Sequence, residues 1–295
     1  MAARLAADRG ARLTMRHAIR LLSVLLLTGA PAAAAAPASP FVPVMVDART
    51  EAALGAFTFD RKHIAAAMKA ARLAGAKGVV LKFFLDKPTD EASDAALAKE
   101  LALIPSFLQA RIDDTTKDPN PFPERFLVKD ISGGFSGALG GSSGWLPLPR
   151  FAAAAKGVGF SDLADPARPA NVPLIEVYKG RVSPTLYLSV LQWLLGPSKV
   201  VDGAHVAIGA RKLTLDSGNE ARVYLPPKGQ LDYIPLLDLV KGRVPANRLK
   251  GKVVVLGYDG DKQTFFDTPT GKLGAHRLFC FALADLYRSL APAKP

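Results

Sequence analysis

The chain has 295 residues, 49% of them hydrophobic and 22% charged, with a formal net charge of +12. That is an ordinary globular composition, long enough to bury one large core or two modest ones. Cys280 is the single cysteine, which excludes any internal disulfide, and no basic stretch is interleaved with aromatics, which argues against nucleic-acid binding.

The first 38 residues have the layout of a secretory leader. Met15 to Arg20 supplies a positive n-region, Leu21 to Ala30 an apolar h-region, and Pro31 to Ala38 a run of small residues. Cleavage is expected after Ala35 or Ala38, so that the mature chain starts near Ser39, and Met15 is an alternative start to Met1. A spanning helix needs about 20 apolar residues, and this apolar core is shorter and runs into Ala and Pro; an uncleaved inner-membrane anchor is the alternative. Residues 1–38 hold five arginines and one aspartate, so their removal lowers the net charge from +12 to +8. The remaining excess favours anionic surfaces or an acidic partner.

From Asp60 the period changes within one unit. Ile64, Ala67, Met68, Ala71 and Leu73 recur at helical spacing between a capping Asp60 and a stop at Gly75, and Val79 to Leu85 reads as a strand. Thr89 to Leu103 is a second helix with acidic residues in its first turn, and Ser106 to Ile112 a second strand. Alternation of this length predicts layered α/β packing. Residues 113–149 break the pattern with Pro, Gly and Ser and read as a long excursion. Beyond it, Val172 to Tyr178 reads as a strand, and Ser183-Pro184 opens a helix with Pro at its first position. Short strands follow at His205 to Ile208, Lys212 to Leu215 and Ala221 to Leu225. Ile234 to Lys241 is a short helix, Val253 to Leu256 a buried strand and Ala275 to Leu290 a closing helix, in which Cys280 sits as a buried hydrophobe.

The chemical motifs are few. Gly140-Gly141-Ser142-Ser143-Gly144 matches a nucleophile elbow, but an elbow needs a strand before the serine and a helix after it, and this one is flanked by glycines and by Trp145-Leu-Pro-Leu-Pro149. His17, His63, His205 and His276 are widely separated, with no ligand spacing for zinc. Asp259, Asp261 and Asp267 lack the further ligands of a calcium loop, and Gly257 to Gly260 lacks the Gly-Lys-Ser/Thr of a P-loop. Asp267-Thr268-Pro269 lies in a loop beyond a buried strand, where α/β sheets form ligand crevices; an Asx-type turn fixed by Pro269 is the alternative.

Three blocks together resemble the CHASE-type extracytoplasmic sensor domains of the second type, input modules of bacterial cyclases and histidine kinases. The C-terminal block is Leu249, Gly251-Lys252, Val253 to Gly257, Asp267-Thr268-Pro269, Gly274 and the helix through Phe281 and Ala282. The first block is Gly75-Ala76, Val79 to Phe84, Asp94, Leu97-Ala98 and Leu101, and the middle one Gly159-Phe160, Asp165, Arg168 and Pro173-Leu174. The likeness runs over about residues 44 to 290. Asp165-Pro166 replaces the family's usual Asp-Gly, and His276 stands where an acidic or aliphatic residue is common.

The resemblance implies a mixed α/β sheet flanked by helices, one sensor domain over residues 39–295, and recognition of a small molecule or protein outside the cytoplasm, in the periplasm or as a secreted protein. It implies no catalysis, cofactor or metal. Family members continue into transmembrane helices and an output domain, so this chain is expected to act through a membrane-bound kinase or cyclase, with a homodimer as one assembly it allows. The ligand pocket is expected where Asp165 and Arg168 converge with Asp259, Asp267 and Thr268: Arg168 as a fork for a carboxylate or phosphate, Asp267 as an acceptor, with pairing of Arg168 to an Asp as the structural alternative. The competing class is an exported serine hydrolase using Ser142 or Ser161 with a histidine.

Overall fold

The computed structural model describes residues 38–57, 60–226, 231–268 and 271–291. The leader expected over residues 1–38 lies almost wholly outside these residues, as does Pro269. The central sheet is built from β1 (Phe41–Val46), β2 (Gly78–Leu81), β3 (Ser106–Ile112), β4 (Gly144–Trp145), β5 (Gly157–Phe160), β6 (Ile234–Pro235) and β7 (Val253–Tyr258). Its order is β6-β1-β7-β2-β3, with β5 parallel to β3 and the two-residue β4 antiparallel beside the end of β3. All the other pairings in this sheet are parallel. β7 therefore comes last in sequence yet lies between the first two strands, with Val255 opposite both Pro43 and Val80.

The α-helices of the described residues are α1 (Ala48–Leu54), α2 (Arg61–Leu73), α3 (Glu91–Leu103), α4 (Pro149–Ala154), α5 (Leu186–Leu195), α6 (Leu236–Val240) and α7 (Ala275–Leu290). The pleat assigns them to faces, because successive strand residues point to opposite sides. Val79, Leu81, Val254, Leu256 and Leu108 pack with Ile64, Met68, Leu97, Leu101, Phe151 and Leu236 of α2, α3, α4 and α6. Their alternates Val80, Val253, Val255 and Phe107 pack with Leu186 to Leu191 of α5 and with Phe279 and Leu283 of α7. A helix-flanked mixed α/β sheet is thus what the chain forms. Near-continuous apolar runs such as Val253 to Leu256 follow from burial on both faces.

Boundaries differ where tertiary pairing decides them. The run Val79 to Leu85 leaves the sheet after Leu81, and Lys82 onward becomes loop. Val172 to Tyr178 divides at Leu174 into two strands that join different small sheets. Pro184 does not open α5: it ends a strand, Arg181–Pro184, that pairs with Ile175–Tyr178, and Thr185 caps the helix by accepting from the Leu188 N–H. Close approach of α5 to the sheet depends on Gly159, where an added Cβ would lie 2.4 Å from Leu186 N. Residues 113–149 are tied down by Asp114, whose carboxylate accepts from the N–H groups of Ser142 and Ser143 at 2.7 and 2.8 Å.

Candidate functional site

The direction in which the chain leaves each strand makes a crevice. After β1 and β2 it turns to the α2/α3 face, and after β7, which lies between them, to the α7 face. Such a reversal separates the loops at the carboxyl ends of the strands. Here they enclose a cavity of about 920 Å³, lined by the loop after β2, by Gln109 and Arg111 of β3, Ser161 and Asp162 after β5, Tyr258 of β7 and the first turns of α7. Its walls mix charged and polar side chains with paired rings: Phe84 and Trp145 meet edge to face at 4.8 Å, and Phe57 stacks on Tyr258 at 4.6 Å.

The floor is polar and buried. Lys82, 8% exposed, points its Nζ at Gln109 Oε1 (2.8 Å) and Ser161 Oγ (2.9 Å) and stands 5.3 Å from the centroid of the Phe279 ring. Burial lowers its pKa to about 8 against the pull of Asp162. Asp162 accepts from the Ile112 N–H at 2.8 Å and pairs with Arg111 at 3.4 Å. Beside it lies Glu176, wholly buried, whose oxygens meet no donor of the described residues. Two carboxyls in such a site cannot both ionise readily; burial and then the Asp162 charge push Glu176 well above the ordinary carboxylate range, so it stands as the neutral acid that can donate to Asp162. In the crevice wall, burial pushes His276 down to about 3, its Nδ1 meeting no hydrogen-bond partner among the described residues, and behind the floor burial pushes Cys280 up to about 12. Neither carries charge at neutral pH.

The five residues singled out from the sequence fall in three places. Asp165 and Arg168 bond to each other at 2.8 Å, and Arg168 reaches toward Glu220 at 3.6 Å, so the fork faces the protein's own carboxylates. Asp259 is clamped by Arg277 through two bonds of 2.5 and 2.7 Å. Asp267 and Thr268 lie on a hairpin, β8 (Phe265–Thr268) and β9 (Gly271–Gly274), with exposed Asp267 opposite Lys272 and the Thr268 hydroxyl donating to Gly271 O at 2.6 Å. Asp259 and Thr268 line a separate hollow of about 450 Å³. None of the five lines the large crevice, although their neighbours Pro166 and Phe266 do.

The sequence reading singles out neither the floor residues Lys82, Gln109 and Arg111 nor Glu176, buried beside Asp162. The signal for two of them is there: Lys82 interrupts the apolar run Gly78 to Leu85, and Glu176 the run Leu174 to Tyr178, and an ionisable residue inside a buried apolar run marks a special site. Ser161 was considered with a histidine as partner; its hydroxyl instead contacts Lys82, Gln109 and Ala110 O. Ser142 contacts Asp114, and the glycines around it form two-residue strands, not a strand-turn-helix elbow. Among the described residues no group of three or more His, Cys, Asp or Glu is placed to hold a metal ion, and no helix is long and apolar enough to cross a membrane.

Comparison with curated proteins finds no match, and neither does comparison with solved structures. A family model described as CHASE2 domain matches residues 11–285, starting ahead of the Leu21 to Ala30 apolar stretch. The three motif blocks read from the sequence fall inside that span, on β2, at the end of β5 and on β7, the strands whose carboxyl ends form the crevice. Match, motifs and fold coincide over nearly the whole chain, and the protein belongs to the CHASE2 domain family of sensory domains.

Proposed function

We propose that this chain is an extracytoplasmic sensor whose small-molecule ligand occupies the crevice at the carboxyl ends of the parallel strands, and that a membrane-bound kinase or cyclase reads the bound state. The observation that carries this reading is the crevice itself, about 920 Å³, with aromatic rings and convergent polar groups in its lining. The leader-like residues 1–38 support a place outside the cytoplasm, with an uncleaved anchor as the alternative.

One contact favours a second reading, an exported serine hydrolase: Ser161 Oγ lies 2.9 Å from Lys82 Nζ, a nucleophile beside an amine of lowered pKa. At neutral pH that amine is largely protonated and donates to the hydroxyl, leaving it no lone pair with which to act as a base. Ser161 N–H is also committed, to Ala110 O at 3.1 Å.

A thermal-shift screen of the full chain against metabolites, paired with fluorophosphonate labelling, separates the two. A native-state binder at 100 times its Kd adds about 2.7 kcal/mol of stability, which a sensor shows as a raised Tm with no label incorporated. Labelling of wild type that disappears in Ser161→Ala would establish the hydrolase instead.

A further inference from the structure

The crevice floor holds a buried ammonium that no carboxylate of the described residues pairs with: Gln109 Oε1 at 2.8 Å and Ser161 Oγ at 2.9 Å, to which Lys82 donates, are neutral. Buried charges are normally paired, because an ammonium without a counter-ion is costly to desolvate. The carboxylate best placed to compensate, Asp162, is already engaged by the Ile112 N–H and by Arg111. Its neighbour Glu176 is fully buried against it and cannot readily ionise beside it. Two cations, Lys82 and Arg111, therefore face one shared negative charge. The floor is short of one anion.

Aromatic side chains stand beside this floor. Arg111 lies over the Trp145 ring at 5.3 Å and Phe84 packs edge-on against the same ring, while Phe279, next to Lys82, is 1% exposed and stacks on Tyr187. Flat apolar walls suit a flat apolar body, whose burial contributes through area and through ring-ring contact. A carboxylate suits a site that is one charge short and offers an ammonium beside a guanidinium.

Resting on the reading that the crevice holds the sensory ligand, we infer that this ligand is a small monocarboxylate with a planar apolar body, its carboxylate seated on Lys82 and Arg111 and its body against Trp145 and Phe84. An amine would be repelled, and a neutral amide would leave Lys82 without its counter-ion.

Three probes with one ring and different charge test this on the full chain by isothermal titration: phenylacetate, phenylacetamide and 2-phenylethylamine. Phenylacetate is expected to bind at least about tenfold more tightly than the amide, the scale of one charge-assisted bond, and the amine not at all. Lys82→Gln and Arg111→Gln should each bring phenylacetate to the level of the amide while leaving the amide unchanged. Arg111 is half-exposed, so its variant decides the matter if Lys82→Gln fails to fold. Amide or amine binding as tightly as the acid, or an acid preference that survives in the variants, overturns the inference. If none of the three binds while another compound raises Tm and shifts Trp145 emission, the inference falls and the sensory crevice stands. If no compound does so, both fall.

Discussion

Replacing Arg61 with alanine is expected to destabilise the protein by roughly 3–5 kcal/mol, the range for removing one partner of a buried ion pair. Arg61 begins α2, and its guanidinium donates to Asp94 Oδ1 of α3 at 2.6 Å and to Lys87 O, in the loop after β2, at 2.6 Å. Asp94 is 0% exposed. Burial on its own would raise the Asp94 pKa, and donation from Thr89 and Arg61 reverses that and holds it low. With Arg61 gone, the desolvated carboxylate keeps only the Thr89 bonds and the more distant Arg150 at 3.9 Å. The loop carrying Lys87 and Thr89 lines the crevice, so the same change should loosen its wall. Urea unfolding monitored by circular dichroism measures the loss. The exposed Arg168–Asp165 pair is the control, where the loss from Arg168→Ala should be much smaller. A loss of that small size at Arg61 would mean that the pair does not hold α2, α3 and the loop together.

The second large effect is a loss of stability in mild acid that originates at His276. In the unfolded chain the imidazole takes up a proton around its ordinary 6.5, whereas the fold, by burying it near Lys82, allows this only at about 3. Between those values the unfolded state binds more protons, so stability falls as pH drops through 6.5 and continues to fall toward 3. Glu176 has the opposite sign: its folded pKa is raised, the native state holds the extra proton, and acidification toward its ordinary 4.5 adds stability. Asp94, held low, contributes a loss only below the ordinary carboxylate range. The difference between wild type and His276→Leu isolates the histidine. From pH 7 to about pH 4.5, wild type should lose roughly 2–3 kcal/mol relative to the variant. Parallel pH profiles for the two proteins would show that the fold does not exclude the imidazolium.

Much of the scaffold was legible because local rules and tertiary structure agree there. α2 runs from Arg61 to Leu73, with Asp60 as its cap and Ile64, Ala67, Met68 and Ala71 buried, as the spacing indicates, while Leu73, read as part of the same stripe, is exposed in the last turn. β3 spans Ser106–Ile112, and α7 spans Ala275–Leu290. β1 was not read: Pro43 interrupts Phe41–Val46, and what makes that segment a strand is pairing with β7, more than 200 residues away. Pro184 misled because Pro suits both the first turn of a helix and the end of a strand, and the pairing of Ser183 with Glu176 decides for the strand.

The crevice was legible as a region and not as a set of side chains. The segments after β5 and β7 do approach it, which position in an α/β sheet implies. Which residue of each loop points inward depends on one-residue register, so Pro166 and Phe266 line the cavity while Asp165 and Asp267 do not. Asp259 looked like a free ligand group because its partner, Arg277, lies 18 residues on, across the hairpin. Lys82 and Glu176, by contrast, were visible as charges inside apolar runs, and that pattern was the better guide to the floor.

The most direct test of a ligand-binding crevice is a crystal structure of the full chain with whichever screened compound raises Tm the most. Unaltered compound against Trp145 and Phe84, within hydrogen-bonding reach of Lys82, is the expected result. Compound bound only elsewhere on the surface, or found cleaved in the crevice, would contradict it.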